Sequence, residues 1–245
     1  EPNRCKDPVG ADNTALRREI REARAKTGGL LGVNLMVALS NFSQLVQTSL
    51  EEKIDIIFSG AGLPLDLPKL WRETCEATQE ELRTKLAPIV SSARAASLIG
   101  RKWMSRFNYV PDAFVLEGPK AGGHLGFKPE EINDPGHDLE HVLPEVLEAV
   151  KPMEDAAGRA IPVIAAGGIF SGFDIRKFLN MGASGVQLGT RFVATHECDA
   201  NIRFKEAFVN AKEEDVTIIK SPVGMPGRAI NNAFLDSVAP GLRQP

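Results

Sequence analysis

Short apolar runs rich in β-branched residues recur along this chain, most of them followed by a stretch with helical spacing, and that alternation restricts the fold more than any other feature. LLGVNLMV, IDIIFSG, LAPIVSS, DAFVLEG, IPVIAAGGI and GVQLGTRFVAT carry apolar residues on consecutive positions rather than on every second one. Strands buried on both faces have this pattern. NFSQLVQTSLEEK, ARAASLIGRKWMSRF and GFDIRKFLNMG read as the helices between them. Strands joined by helical crossovers must run parallel, because each crossover lays its helix on a face of the sheet.

The strands are predicted at residues 31–37, 54–59, 87–92, 112–117, 161–166 and 185–189, with a weaker one at 216–220. An amphipathic helix over ADNTALRREIREARAKTGG places Leu16, Ile20 and Ala23 on one face, with Asp12, Asn13 or Thr14 as its cap and Gly28 and Gly29 as its stop. Another is expected to begin at Pro144, with Val146, Leu147 and Val150 inward. Ser171 is placed to cap a helix that ends at Gly182.

Two glycine-bearing strand ends follow one another. Gly167 and Gly168 close the strand before the Ser171 helix, and Gly189 and Thr190 close the next. Together they can offer backbone N–H groups, a hydroxyl and a helix N-terminus to one anion. Phosphate sites of α/β barrels commonly follow the seventh and eighth strands. The expected architecture is therefore an α/β fold, a TIM (β/α)8-type barrel of parallel strands that lacks the first two βα units. It is read as one domain over residues 1–245, with 196–245 as a C-terminal helical and loop extension.

A net charge of −3 gives no electrostatic footprint for nucleic acid. The longest apolar stretch, around LLGVNLMVAL, is about half of a membrane span and contains Gly32 and Asn34. Cys5, Cys75 and Cys198 form no CxxC pair, which fits a reducing, cytoplasmic setting, and Cys75 and Cys198 read as inert thiols. His137 and His141 have the spacing of a helical metal pair but lack a third ligand, so a solvated loop is expected there. KEEDV, 212–216, reads as a solvated helix end, and Met36, Met104 and Met181 as core fillers.

LEGPKAGGHLGF sets His124 among Gly122, Gly123 and Gly126. Glycine permits close approach of backbone to a ligand, and a histidine near its ordinary pKa can exchange a proton at neutral pH. A ligand-facing loop with His124 handling protons is the expectation, against a merely structural histidine in a surface loop. Asn34 either touches a ligand or hydrogen-bonds a neighbouring strand end.

GVNLM (32–36), AGGHLG (121–126), PVIAAGGI (162–169), GVQLGTRF (185–192) and SPVGMPGRAI (221–230) occur in that order. With them the chain resembles the nitronate monooxygenases, formerly 2-nitropropane dioxygenases, and their relatives the FMN-dependent enoyl-acyl-carrier-protein reductases. The resemblance implies an FMN flavoprotein in which Gly167, Gly168, Gly189 and Thr190 bind phosphate, with Gln187 and Leu188 approaching it from the strand end. It further implies that Asn34 and Gly123 touch the flavin and that His124 is catalytic. The expected activity is oxidation of alkyl nitronates or nitroalkanes with molecular oxygen. Two alternatives stand beside it: an NAD(P)H-dependent enoyl thioester reductase, and a flavin-binding module without activity. The expected partners are a small-molecule substrate and oxygen, with no nucleic acid or membrane, and a homodimer is compatible.

Overall fold

The computed structural model describes residues 8–79, 83–221 and 224–237; Cys5 and residues 238–245 of the expected C-terminal extension lie outside them. The chain divides into two compact units. The first takes the described parts of Glu1–Val90, Arg94–Val115 and Ala149–Pro162, and the second takes Ser91–Ala93, Leu116–Glu148 and the described part of Val163–Pro245.

In the first unit α1 (Pro8–Lys26), β1 (Gly32–Met36), α2 (Phe42–Glu51), β2 (Ile56–Gly60), α3 (Leu67–Thr78), β3 (Lys85–Val90) and α4 (Ala93–Phe107) alternate as expected, and β4 (Phe114–Glu117) begins. β1 pairs in parallel with β2 from Gly32 opposite Ile56 to Met36 opposite Gly60, and β2 pairs in parallel with β3. Gly32 is required: a Cβ there would lie 2.7 Å from Ile56 and 2.8 Å from the Phe58 ring. Val46, Leu50, Ile57, Leu67, Leu86, Ile99 and Trp103 are fully buried. Each contributes about 1.5–3 kcal/mol of transfer free energy. The Trp103 indole N–H still finds an acceptor, the Pro64 carbonyl at 2.9 Å. Glu52 joins α1 to α2 by accepting from Arg17 at 2.6 Å and Arg21 at 2.7 Å.

The second unit takes the end of β4, β5 (Gly123–His124), the start of α5 (Leu139–Ala157), β6 (Val163–Ala166), α6 (Gly172–Asn180), β7 (Gly185–Gln187), α7 (Thr190–Val193), α8 (Ile202–Asn210), β8 (Val216–Lys220), β9 (Pro226–Ile230) and α9 (Ala233–Ser237). β6 and β7 pair in parallel from Ile164 opposite Gly185 to Ala166 opposite Gln187. Along the sheet the hydrogen-bonded order is β1-β2-β3-β4-β6-β7. These are the six strands read from the sequence, and the fold is a parallel α/β fold of the TIM-barrel class with six strands where a closed barrel has eight.

Four local expectations change. α1 begins at Pro8, so Asp12, Asn13 and Thr14 sit inside it: Asp12 accepts from the Asn41 amide at 2.9 Å, and Thr14 donates back to the Gly10 carbonyl. α5 begins at Leu139, ahead of Pro144. Pro144, the sixth residue of the helix, removes one i→i−4 hydrogen bond, and burial of Leu139, Val142, Leu143 and Val146 outweighs that loss. The weaker strand, β8, exists but lies outside the parallel sheet: it pairs antiparallel with β9, which pairs antiparallel with β5. KEEDV is solvated as expected, but it forms a single 3-10 turn, Glu213–Asp215, that leads into β8.

Ser171 caps α6 as expected. Its hydroxyl accepts from the Asp174 N–H at 3.3 Å, and the Asp174 carboxylate accepts from the Ser171 N–H at 2.8 Å. Gly182, with φ of +104°, ends the helix. Among the described residues no helix is long and apolar enough to cross a membrane.

Candidate functional site

The second unit brings three loops together. β4 ends at Glu117, and the chain then turns over residues 118–121, closed by the Ala121 N–H on the Gly118 carbonyl at 3.1 Å. The Gly118 N–H holds that turn to the Ala166 carbonyl, the last residue of β6, at 2.8 Å. Gly122 follows, and then β5, whose Gly123 lies opposite Arg228 and whose His124 lies opposite Gly227 of β9. The Leu125 N–H adds a bond to the Pro226 carbonyl at 2.8 Å.

Gly167 and Gly168 adopt φ of +95° and +74°, in the left-handed region. The space beside them is taken by the preceding turn. A Cβ on Gly167 would lie 3.0 Å from the Gly118 carbonyl, and one on Gly168 would lie 2.8 Å from the Lys120 Cβ. Gly189 and Thr190 lie exposed after β7. A Cβ on Gly122 would lie 3.6 Å from the Thr190 hydroxyl, so the histidine loop borders the second glycine loop as well. The Arg191 guanidinium stacks 4.3 Å over the Phe170 ring and ties the two strand-end loops together.

His124, Gly123, Gly167, Gly168, Gly189 and Thr190 are thus gathered in one unit, with Gln187 ending β7 and Leu188 half-buried after it. Asn34 belongs to the other unit. It is exposed at the centre of β1, opposite Phe58, and among the described residues its side chain makes no hydrogen bond to a neighbouring strand end. The N-terminus of α6 is not a free anion site, since the Phe170 and Ser171 N–H groups both donate to Asp174. That carboxylate is held below its usual range by the Ser171 bonds and then by Phe170.

A cleft of ≈ 150 Å³ lies against Gly167 and Gly168, lined also by Lys120, Asp138, Glu140 and Lys177. Its charges are satisfied within the protein: Lys120 pairs with Asp138 at 3.7 Å, and Lys177 pairs with Glu140. His137 lies 3.1 Å from Asp134, edge-on to Phe127, whereas His141 is exposed on α5. Cys75 and Cys198 are free and half-buried.

Two residues escaped the sequence reading. Glu117 is a largely desolvated carboxyl at the C-terminal end of β4, with no hydrogen-bond partner among the described residues, and burial pushes it up to about 7. Arg228 donates through Nη2 to the Pro119 carbonyl at 3.0 Å, while its buried Nε has no partner among the described residues. A carboxyl directly after the apolar run DAFVL was the available signal for the first, because strand C-termini form the ligand face of parallel α/β folds. For the second it was the arginine within SPVGMPGRAI.

A family model for nitronate monooxygenase matches residues 5–241. A protein described as a probable nitronate monooxygenase from Staphylococcus aureus is 35% identical over 129 residues, 52% of this chain and 34% of that protein. The structure of FabK from Thermotoga maritima shares 32% identity at a TM-score of 0.72, covering 92% of this chain and 62% of that one. A nitroalkane oxidase from Streptomyces ansochromogenes has the same fold at 23% identity and a TM-score of 0.71, covering 91% of this chain and 68% of that one. The matched segment spans about a third of the length of the curated relative. On the family match over nearly its whole length, this chain belongs to the nitronate monooxygenase family.

Proposed function

We propose that this chain carries the cofactor-phosphate and proton-handling parts of an FMN-dependent oxidoreductase that oxidises alkyl nitronates, or the parent nitroalkanes, with molecular oxygen. The carrying observation is the meeting of three loops: the His124 loop borders both Gly167–Gly168 and Thr190. The residues present fit a flavin phosphate. The paired positive-φ glycines turn the backbone without a side chain, no atom lies within 4 Å of a Cβ placed on Gly189 or Gly123, and the exposed Thr190 hydroxyl stands beside them. Backbone N–H groups in such concave turns favour anions. Gly167, Gly168, Gly189 and Thr190 would hold the phosphate, and Gln187 and Leu188 would wall it from the strand end.

FMN supplies the electron transfer that no side chain can carry. The protein's own share is binding and proton movement. For a neutral nitroalkane, the His124 imidazole accepts the α-proton; for a nitronate, already deprotonated, it donates a hydrogen bond to an anionic oxygen. Beside that histidine, the space around Gly123 is open: nothing lies within 4 Å of a Cβ placed there. A cytoplasmic setting, a small-molecule substrate with oxygen, and a homodimer complete the proposal.

The test is to titrate the purified protein with FMN, record the visible spectrum, and follow oxygen uptake with propionate-3-nitronate in the absence of NADH. Uptake supports nitronate oxidation. NADH consumption that depends on an enoyl thioester would replace it with the reductase reading. No flavin band at micromolar FMN would leave a module without this activity.

A further inference from the structure

Arg228 is the third residue of β9, and its guanidinium is half-buried without a carboxylate partner among the described residues. Desolvating a cation without pairing it is costly, so such a group persists where its hydrogen bonds serve a purpose. Among the described residues its side-chain hydrogen bond spans 109 positions in sequence and falls on the Pro119 carbonyl, inside the turn over residues 118–121. That same turn abuts Gly167 and Gly168 on one side and leads into Gly122 and His124 on the other.

Directly opposed residues of an antiparallel pair project to the same side of the ribbon. Arg228 therefore projects on the side of Gly123, and His124 projects with Gly227 on the other. The guanidinium works from behind the ribbon that carries the imidazole. Arginine suits this place because its planar fork gives a directed, charge-assisted bond to a carbonyl, and because the aliphatic stem tolerates burial.

We propose that Arg228 is a positioning residue: by clamping the Pro119 carbonyl it fixes the turn over residues 118–121, and through it sets the orientation of His124 relative to the glycine turn after β6. Its consequence for FMN and turnover rests on the function proposed above; its consequence for the imidazole does not.

The chain has four histidines, at 124, 137, 141 and 196, so imidazole resonances can be followed one by one by NMR, with H124N identifying the signal. In R228Q the His124 resonance and its titration midpoint shift, while those of His137, His141 and His196 stay fixed; in R228K, which keeps the charge and N–H donors but not the planar fork, the shift is smaller. FMN affinity and kcat with a nitroalkane fall about tenfold in R228Q, the size expected for one lost charge-assisted bond, with KM nearly unchanged and partial rescue in R228K. If both variants fold with the wild-type circular dichroism spectrum and leave the His124 signal and midpoint where they were, the clamp is wrong. If R228Q does not fold, R228K decides by the same signal. If wild-type protein binds no FMN, the oxidoreductase reading fails, and the His124 signal still judges Arg228.

Discussion

A methyl group placed on Gly122 would lie 3.6 Å from the Thr190 hydroxyl, an ordinary van der Waals contact between loops 68 residues apart in sequence (190 − 122 = 68). This proximity joins the histidine loop to the last strand-end loop. In the proposed function, Thr190 is the side chain through which the phosphate and the His124 loop would be registered to one another.

Replacing Thr190 by valine keeps its shape and removes its hydroxyl. FMN affinity is expected to weaken about tenfold in T190V, the cost of one hydrogen bond to a charged group. Quenching of flavin fluorescence on titration measures it. An unchanged dissociation constant would remove Thr190 from the phosphate site.

Gly168 tests the neighbouring turn. With φ of +74° and a Cβ that would approach the Lys120 Cβ to 2.8 Å, G168A meets both backbone strain and a clash. A loss of about 2 kcal/mol or more in urea unfolding is expected. Gly172 is the control: it opens α6 with nothing within 4 Å of a Cβ, so G172A loses no stability. Equal stabilities for the two variants would refute the close packing of the turn.

The parallel sheet was legible because burial on both faces imposes consecutive apolar residues, a signal plain in IIF and FVL, whereas β1 carries it around the exposed Asn34. The small antiparallel sheet was not. β5 is two residues, Gly123 and His124, and β9 opens with Pro226, both of which read as loop; their pairing depends on partners about a hundred residues away. Pro144 misled for a related reason: local sequence marks it as a helix start, whereas burial of Leu139 and Val142 sets the start earlier. Within the site, glycines and His124 stood out by their spacing. Glu117 and Arg228 did not, because a single charged residue carries no periodicity and its desolvation exists only in the folded chain.

The role proposed for His124 can be tested by separating proton transfer from anion holding. In H124N, turnover of a neutral nitroalkane is expected to fall about a hundredfold or more, as loss of a general base does. Turnover of the matching nitronate, which needs no base, falls only about tenfold, the value of a lost hydrogen bond to a charged group. Measuring kcat/KM for both forms of one nitroalkane resolves the two. Equal losses would mean that His124 does not take the α-proton.

Glu117 makes stability depend on pH. Burial raises its carboxyl from 4.5 to about 7 in the folded protein, whereas the unfolded chain keeps the lower value. The folded state therefore binds the extra proton between those values, and stability is complete below about pH 4.5 and falls as pH rises through 7. The loss amounts to about 3 kcal/mol, from roughly 1.4 kcal/mol per pKa unit. In E117Q this window flattens, because the neutral amide has no proton to lose. Melting temperatures of wild type and E117Q from pH 5 to pH 8, each relative to its own value at pH 5, measure the difference; parallel curves would place the Glu117 carboxyl in solvent rather than in the protein.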